Sequence, residues 1–255
     1  MLDRIKKRQY DGFKEFVQNM EVTAAIPRGQ IFLNGLLDDP IFMSYVTKNI
    51  RTFDDFLELP SAEIDMVLKS HDQMITMLAK SLFGATPERI RELETIIPRF
   101  MSPLRDELGY LTELRPEQQE TAKFFIMKAT RKLQHDERIY GFRWHLPGQD
   151  IFFPKSYPDG RCQIQFENGV LAAEGEILKN KRLGFWRHFY ETGKVLAEGE
   201  YSESFKNGTW VIYHGNGTHK AQGKYKSDQR QGNWKEWDRL GNMTEVEYQD
   251  GIRKA

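Results

Sequence analysis

The chain has 255 residues, with 37 Lys plus Arg balanced by 37 Asp plus Glu, and a single cysteine. Balanced charge with neither half lopsided argues against nucleic acid or an anionic membrane surface as partner, and the lone Cys162 excludes an internal disulfide and fits a reducing compartment. The charged start MLDRIKKRQYDGFKEF lacks an apolar core of signal-peptide length and no run approaches a spanning helix, so a soluble, cytoplasmic protein is expected.

From Leu2 to about His135 apolar residues recur at helical spacing. Short helices are predicted at 3–19, 29–37, 40–49, 61–70 and 72–83, joined by brief loops. Thr86, Pro87 and Glu88 then read as an N-cap, a first-turn proline and an acid matched to the helix dipole, and Ile90, Leu93 and Ile97 share the face that follows. Pro116 and Glu117 open another helix, striped by Ala122, Phe125, Ile126, Ala129 and Leu133. With no strand pattern between them, these elements predict an all-α region, either a bundle or an armadillo-like stack.

Within this region, Phe53-Asp54-Asp55-Phe56-Leu57, the stretch Ala79 to Gly84, the run Leu104 to Leu108 and the helix after Pro116 follow one another in a familiar order. Over residues 53–134 that order resembles the C-terminal domain of the flagellar motor-switch (rotor) protein FliG. The resemblance implies a helical domain at the rotor face, with a charged ridge that engages the stator; the matching partner-binding charges are Arg99, Asp106, Glu107 and Arg115. Read from the residues alone, Asp106 and Glu107 among Leu104, Leu108 and Leu111 describe an amphipathic helix with acids outward, which is also the pattern of an ordinary solvated face. The chain departs from the family at several points. Phe83 stands at a ridge lysine, Ile50-Arg51-Thr52-Phe53 replaces the hinge Met-Phe-x-Phe, and the Glu-His-Pro-Gln-Arg motif is missing. Pro103, with Ser102 as its N-cap, is expected to restart the acidic helix and leave Arg99 on a different turn.

Residues 146–160 carry Pro147, Gly148, Pro154, Pro158 and Gly160, which marks them as the connection between a helical domain at 1–145 and a second domain at 161–255.

The second domain repeats every 24 residues: Gly169, Gly193, Gly217 and Gly241 are in phase, as are Gly184, Gly208 and Gly232, and Trp186, Trp210 and Trp234. The first glycine of each unit sits in a turn dipeptide, and segments such as KVLAEGEY alternate polar with apolar at period two, so each unit reads as a β-hairpin. One hairpin cannot bury its own Trp. The three tryptophans are therefore expected to share one seam, with Phe189, Tyr213 and Trp237 beside them. The frame carried by Gly193, Glu198, Gly199, Tyr201, Gly208, Trp210 and Tyr213 resembles the bacterial variant of the MORN repeat, which implies an all-β hairpin solenoid serving as a binding or scaffolding module. The last unit departs from it, with Glu247 at the second glycine and no Trp, as a terminal cap would.

Catalytic spacing is absent from the sequence. His71, His135, His145, His188, His214 and His219 form no HExxH, facial triad or zinc pattern, and there is no phosphate loop, dinucleotide fingerprint or nucleophile elbow. No enzyme, cofactor or metal is expected. The resulting expectation is an α+β protein in separate domains, a non-enzymatic flagellar-motor accessory or scaffold with protein partners on both halves. The alternative is a free-standing interaction or antitoxin-like protein whose repeats do the binding.

Overall fold

The computed structural model describes residues 2–153 and 155–254, so Pro154 of the connection lies outside the described residues. An N-terminal helical region precedes a C-terminal antiparallel sheet of nine strands. The chain divides into two compact units: a helical one of Asp3–Ile31 and Tyr45–Leu146, and a sheet one that runs from Pro147 onward and includes Phe32–Ser44.

The helices are α1 (Leu2–Lys6), α2 (Gln9–Glu21), α3 (Ala25–Asp38), α4 (Pro40–Asn49), α5 (Phe53–Leu57), α6 (Ser61–Leu68), α7 (Met74–Ser81), α8 (Pro87–Ile96), α9 (Met101–Tyr110) and α10 (Pro116–His135). The single helix predicted at 3–19 is two. The chain turns at Gln9, whose φ is +48°, and brings the end of α1 so close to Gly12 that a Cβ there would lie 2.2 Å from the Ile5 carbonyl oxygen. Local caps set several starts. Thr52 and Asp55 form a reciprocal capping box on α5, Asp39 accepts from the Phe42 N–H at 2.9 Å at α4, and Thr86 accepts from the Arg89 N–H at 3.3 Å at α8.

Ser102 does not cap α9. A 3-10 turn at Pro98–Phe100 feeds directly into a helix starting at Met101, so Pro103 falls in the first turn, where a missing N–H costs no intrahelical bond. Arg99 lies on the 3-10 turn, off the helix that carries Asp106.

The helical core is built on Phe56, Ile64, Val67, Leu78, Leu93, Leu104 and Ile126, all fully buried. A polar post stands beside it. Arg131 of α10 and Glu21 of α2, both almost completely buried, form a bidentate ion pair; Arg131 also donates to the Asn49 carbonyl at 2.7 Å and stacks 4.4 Å from the Trp144 ring. The Glu21 carboxylate takes a further bond from the Arg51 N–H at 2.8 Å. Both nitrogens facing Glu21 and both carboxylate oxygens of this buried pair therefore have hydrogen-bond partners, the condition under which such a pair is tolerated.

The strands are β1 (Gly160–Gln165), β2 (Leu171–Leu178), β3 (Lys181–Phe189), β4 (Val195–Ser202), β5 (Phe205–Tyr213), β6 (His219–Lys226), β7 (Gln229–Trp237), β8 (Met243–Gln249) and β9 (Ile252–Arg253), paired strictly in chain order. Two kinds of turn alternate. The longer ones hold Gly169, Gly193, Gly217 and Gly241 at φ between +80° and +95°, as in Tyr190–Lys194, where the Gly193 N–H bonds the Tyr190 carbonyl at 2.9 Å. The shorter ones are two-residue turns at Lys179–Asn180, Glu203–Ser204, Ser227–Asp228 and Asp250–Gly251, with φ positive at both positions, the backbone of a type I′ hairpin.

Candidate functional site

On one face of the sheet each tryptophan lies flat against a glycine of the preceding strand. A Cβ added to Gly175, Gly199 or Gly223 would sit 2.3–2.4 Å from the rings of Trp186, Trp210 and Trp234 respectively. The ladder shifts register beside each of these glycines, and Gly184, Gly208 and Gly232 supply the positive φ of the bulge opposite. Next to each bulge a backbone carbonyl accepts the indole N–H: Glu176 from Trp186, Glu200 from Trp210 and Lys224 from Trp234, each at 3.1 Å. All three indoles are thus fully buried with their polar atom satisfied.

The tryptophans do not stack on one another. Tyr201 and Tyr225 stand between them, edge-on at ring distances of 5.0–6.1 Å, and Tyr248 continues the series. A cation at the same place in each unit covers these rings: Arg182 lies 4.2 Å from Tyr201, Lys206 5.4 Å from Tyr225 and Arg230 4.1 Å from Trp234. Leu33 and Leu37 of α3 pack into this face, and Arg182 donates to the Leu37 carbonyl. His188 is buried between Trp186 and Trp210, with Nε2 3.3 Å from the Tyr201 hydroxyl. Burial, reinforced by Arg182 and Lys206, holds the His188 imidazole well below its usual value, and burial pushes the Tyr201 phenol up. This face is a structural core.

Phe189, Tyr213 and Trp237, expected beside the tryptophans, occupy the opposite face. Strand alternation places each an odd number of residues from its Trp, and none joins the packed core of the sheet unit. They sit in one cross-strand row: Phe189 pairs with Val195, Tyr213 with His219 and Trp237 with Met243, with Leu171 at the β2 end. The His219 ring is 5.1 Å from Tyr213 and 5.5 Å from Trp237, so the row is continuous there. A second row runs beside it in register, through Gln163, Glu174, Arg187, Glu198, Val211, Gln222, Lys235 and Glu245. Glu198 links the two, accepting from Arg187 Nε at 3.0 Å and from the Tyr213 hydroxyl at 2.9 Å. Burial and this carboxylate raise the Tyr213 phenol, which stays a neutral donor. Phe185, 55% exposed, lies on the far side of Arg187.

From β2 to β8 the aromatic row crosses six strand spacings, roughly 29 Å at about 4.8 Å each. A half-exposed apolar strip of that length, bordered by fixed charges, has the make-up of a protein-binding surface. Among the described residues no cluster of His, Cys, Asp or Glu could hold a metal, and no helix is long and apolar enough to cross a membrane.

The charges matched to the motor-switch family are placed separately. Asp106 is exposed and Glu107 half-exposed on α9, Arg115 is exposed at the start of α10, and Arg99 faces Asp65 at 3.7 Å. Neighbouring Arg105 is taken by Glu94 of α8. No ion pair among the described residues joins Asp106, Glu107 or Arg115 into one ridge. The repeat marks Phe189, Tyr213 and Trp237 as equivalent aromatics, but their place on the outer face follows only from the strand alternation.

A family model described as a MORN repeat variant matches residues 184–203, the stretch from the β3 bulge glycine through the turn after β4. No curated protein matches the chain. The matched segment holds Trp186, the long turn at Gly193 and Gly199, that is, the indole of one glycine-seated pair and the glycine seat of the next.

Proposed function

We propose that this is a non-enzymatic protein-interaction module whose MORN-type repeats present the outer sheet face as a docking platform. The observation that carries this reading is the aromatic row Phe189, Tyr213, His219 and Trp237, held in register but left outside the core. Non-obligate interfaces centre on aromatic anchors within a polar rim, and a rigid sheet presents such anchors at low entropic cost. The test is affinity capture from the native host with the wild type and with Phe185→Ser/Trp237→Ser, two positions outside the packed core. Loss of the captured partner with unchanged thermal stability supports the platform, and equal recovery from both refutes it.

A second reading, that the helical unit docks a component of a flagellar motor, has one supporting observation. Asp106 and Glu107 project from α9 without an ion-pair partner among the described residues, while nearby Arg99 and Arg105 are engaged within the unit. Charges left uncompensated contribute steering and specificity to a partner of opposite sign. Under this reading the repeats bind a second protein.

A further inference from the structure

The helical unit carries a second, chemically distinct surface. A groove of about 890 Å³ runs along α10, between the end of α2 and the loop that follows α6. Its apolar lining comes from Val22, Met74, Phe125, Ala129 and Leu133. Val22 is 38% exposed and Phe125 half-buried, with the His71 ring edge-on to Phe125 at 5.6 Å. Exposed Lys128, Lys132 and Arg138 line its rim.

The charge along this groove is one-sided. Its two acids are Glu21 and Asp136, and Glu21 is consumed by Arg131 and the Arg51 N–H at the base of the groove. That leaves Asp136 against three cations. None of Lys128, Lys132 and Arg138 has a carboxylate partner among the described residues. Basic residues near a helix C-terminus answer its dipole, which accounts for Lys132 in the last turn of α10. It does not account for Lys128, two turns from the end, or for Arg138, beyond it. Lys128 and Lys132 moreover stand four residues apart, where like charges repel by a few tenths of a kcal/mol.

We infer that this groove receives an acidic amphipathic segment of a partner protein. Apolar side chains of the segment cover Val22, Phe125 and Ala129, and its carboxylates, spaced three or four residues apart on a helix, meet Lys128, Lys132 and Arg138. From Phe125 to His135 the groove follows eleven residues of α10, ten steps of 1.5 Å or about 15 Å, close to three helical turns. The inference is independent of the docking platform on the sheet, because it concerns other residues and a partner selected by charge.

The experiment uses the full-length protein and a displayed library of 14-residue amphipathic peptides, with Leu on one face and Asp, Glu, Lys, Arg or Ser allowed on the other. Enrichment of Asp and Glu is expected, with binding that weakens as salt rises. Affinity should fall at least tenfold in Lys128→Glu/Lys132→Glu and also in Val22→Ser. These positions lie at the surface, so both variants are expected to keep their fold, which circular dichroism and thermal unfolding check. The charge-reversed protein should in turn select basic peptides. Selection without acidic enrichment, binders unaffected by both variants, or binders that instead compete through the sheet face would each overturn the assignment.

Discussion

The indole of Trp210 rests on Gly199, so closely that a Cβ on the glycine would lie 2.4 Å from the ring. Because that ring is wholly buried and its N–H is spent on the Glu200 carbonyl, it cannot tilt away without losing a hydrogen bond. Gly199→Ala is therefore expected to destabilise the sheet by about 1–3 kcal/mol, the range for overpacking a close-packed site. Trp210→Ala, which empties the site instead, should cost about 3–5 kcal/mol. Urea titration followed by tryptophan fluorescence reads both; Gly199→Ala unfolding at the wild-type midpoint would mean the contact is absent.

Acidification should loosen the sheet through His188. The unfolded chain takes up a proton near the ordinary imidazole value of 6.5, whereas folded His188 resists protonation until far lower pH, held down by burial and then by Arg182 and Lys206. Below 6.5 the unfolded state thus binds more protons, so the contribution is complete above that pH and is lost as pH falls toward the folded value, at about 1.4 kcal/mol per pH unit. Asp38, raised by its own burial, acts in the opposite sense and closer to its ordinary 3.8. The equivalent of His188 in the next unit is Ile212, which makes His188→Ile a conservative swap. Between pH 7.5 and 5.5 the wild type should lose urea resistance and His188→Ile should not; parallel loss in both would discount the histidine.

Removing one member of the Arg131–Glu21 pair leaves a buried charge without its counter-ion. Arg131→Met or Glu21→Gln alone should cost the helical unit about 3–5 kcal/mol, with the double replacement costing less than the two single effects added together. A double-mutant cycle measured by thermal unfolding gives the coupling. Additive losses would mean that the two side chains act independently.

Segment Phe32–Ser44 groups with the sheet, where Leu33 and Leu37 join its core. A fragment from Pro147 onward should accordingly be less stable than the same unit in the intact chain, and a peptide of residues 32–44 added in trans should raise its melting temperature. No response to the peptide at millimolar concentration would show that the segment is dispensable.

For the motor reading, Asp106→Lys/Glu107→Lys should leave helicity intact, because Asp106 is exposed, Glu107 is partly exposed and both lie outside any ion pair among the described residues. Motility of the host strain and recovery of a motor component should both decline. Unchanged values of both would remove α9 from consideration.

The sequence showed the elements that depend on special residues. Gly193 and its equivalents announce the long turns, and Thr86 with Pro87 announces α8. The two-residue turns at Glu203–Ser204 and Ser227–Asp228 stayed hidden because both adopt positive φ without glycine, driven by the twist of the strands they join. The face assignment of Phe189, Tyr213 and Trp237 failed for a related reason. A period of 24 fixes which residues are equivalent but not on which side of the sheet each lies; that follows from bulges and alternation within the unit. The groove on α10 was legible only in part: the stripe through Phe125 and Ala129 was visible, but both residues border an opening as well as packing on the core, which depends on where α2 ends.

Each 24-residue unit contains its own glycine seat, its own indole and both kinds of turn, and it meets the next unit through repeated contacts such as Arg182 on Tyr201 and Lys206 on Tyr225. The array is consequently a ruler. Inserting or deleting one unit would change the outer strip by two strand spacings, about 10 Å, without disturbing the chemistry of the remainder. Evolution could thereby match the span of a binding partner in fixed increments by duplication, leaving the fold itself unedited.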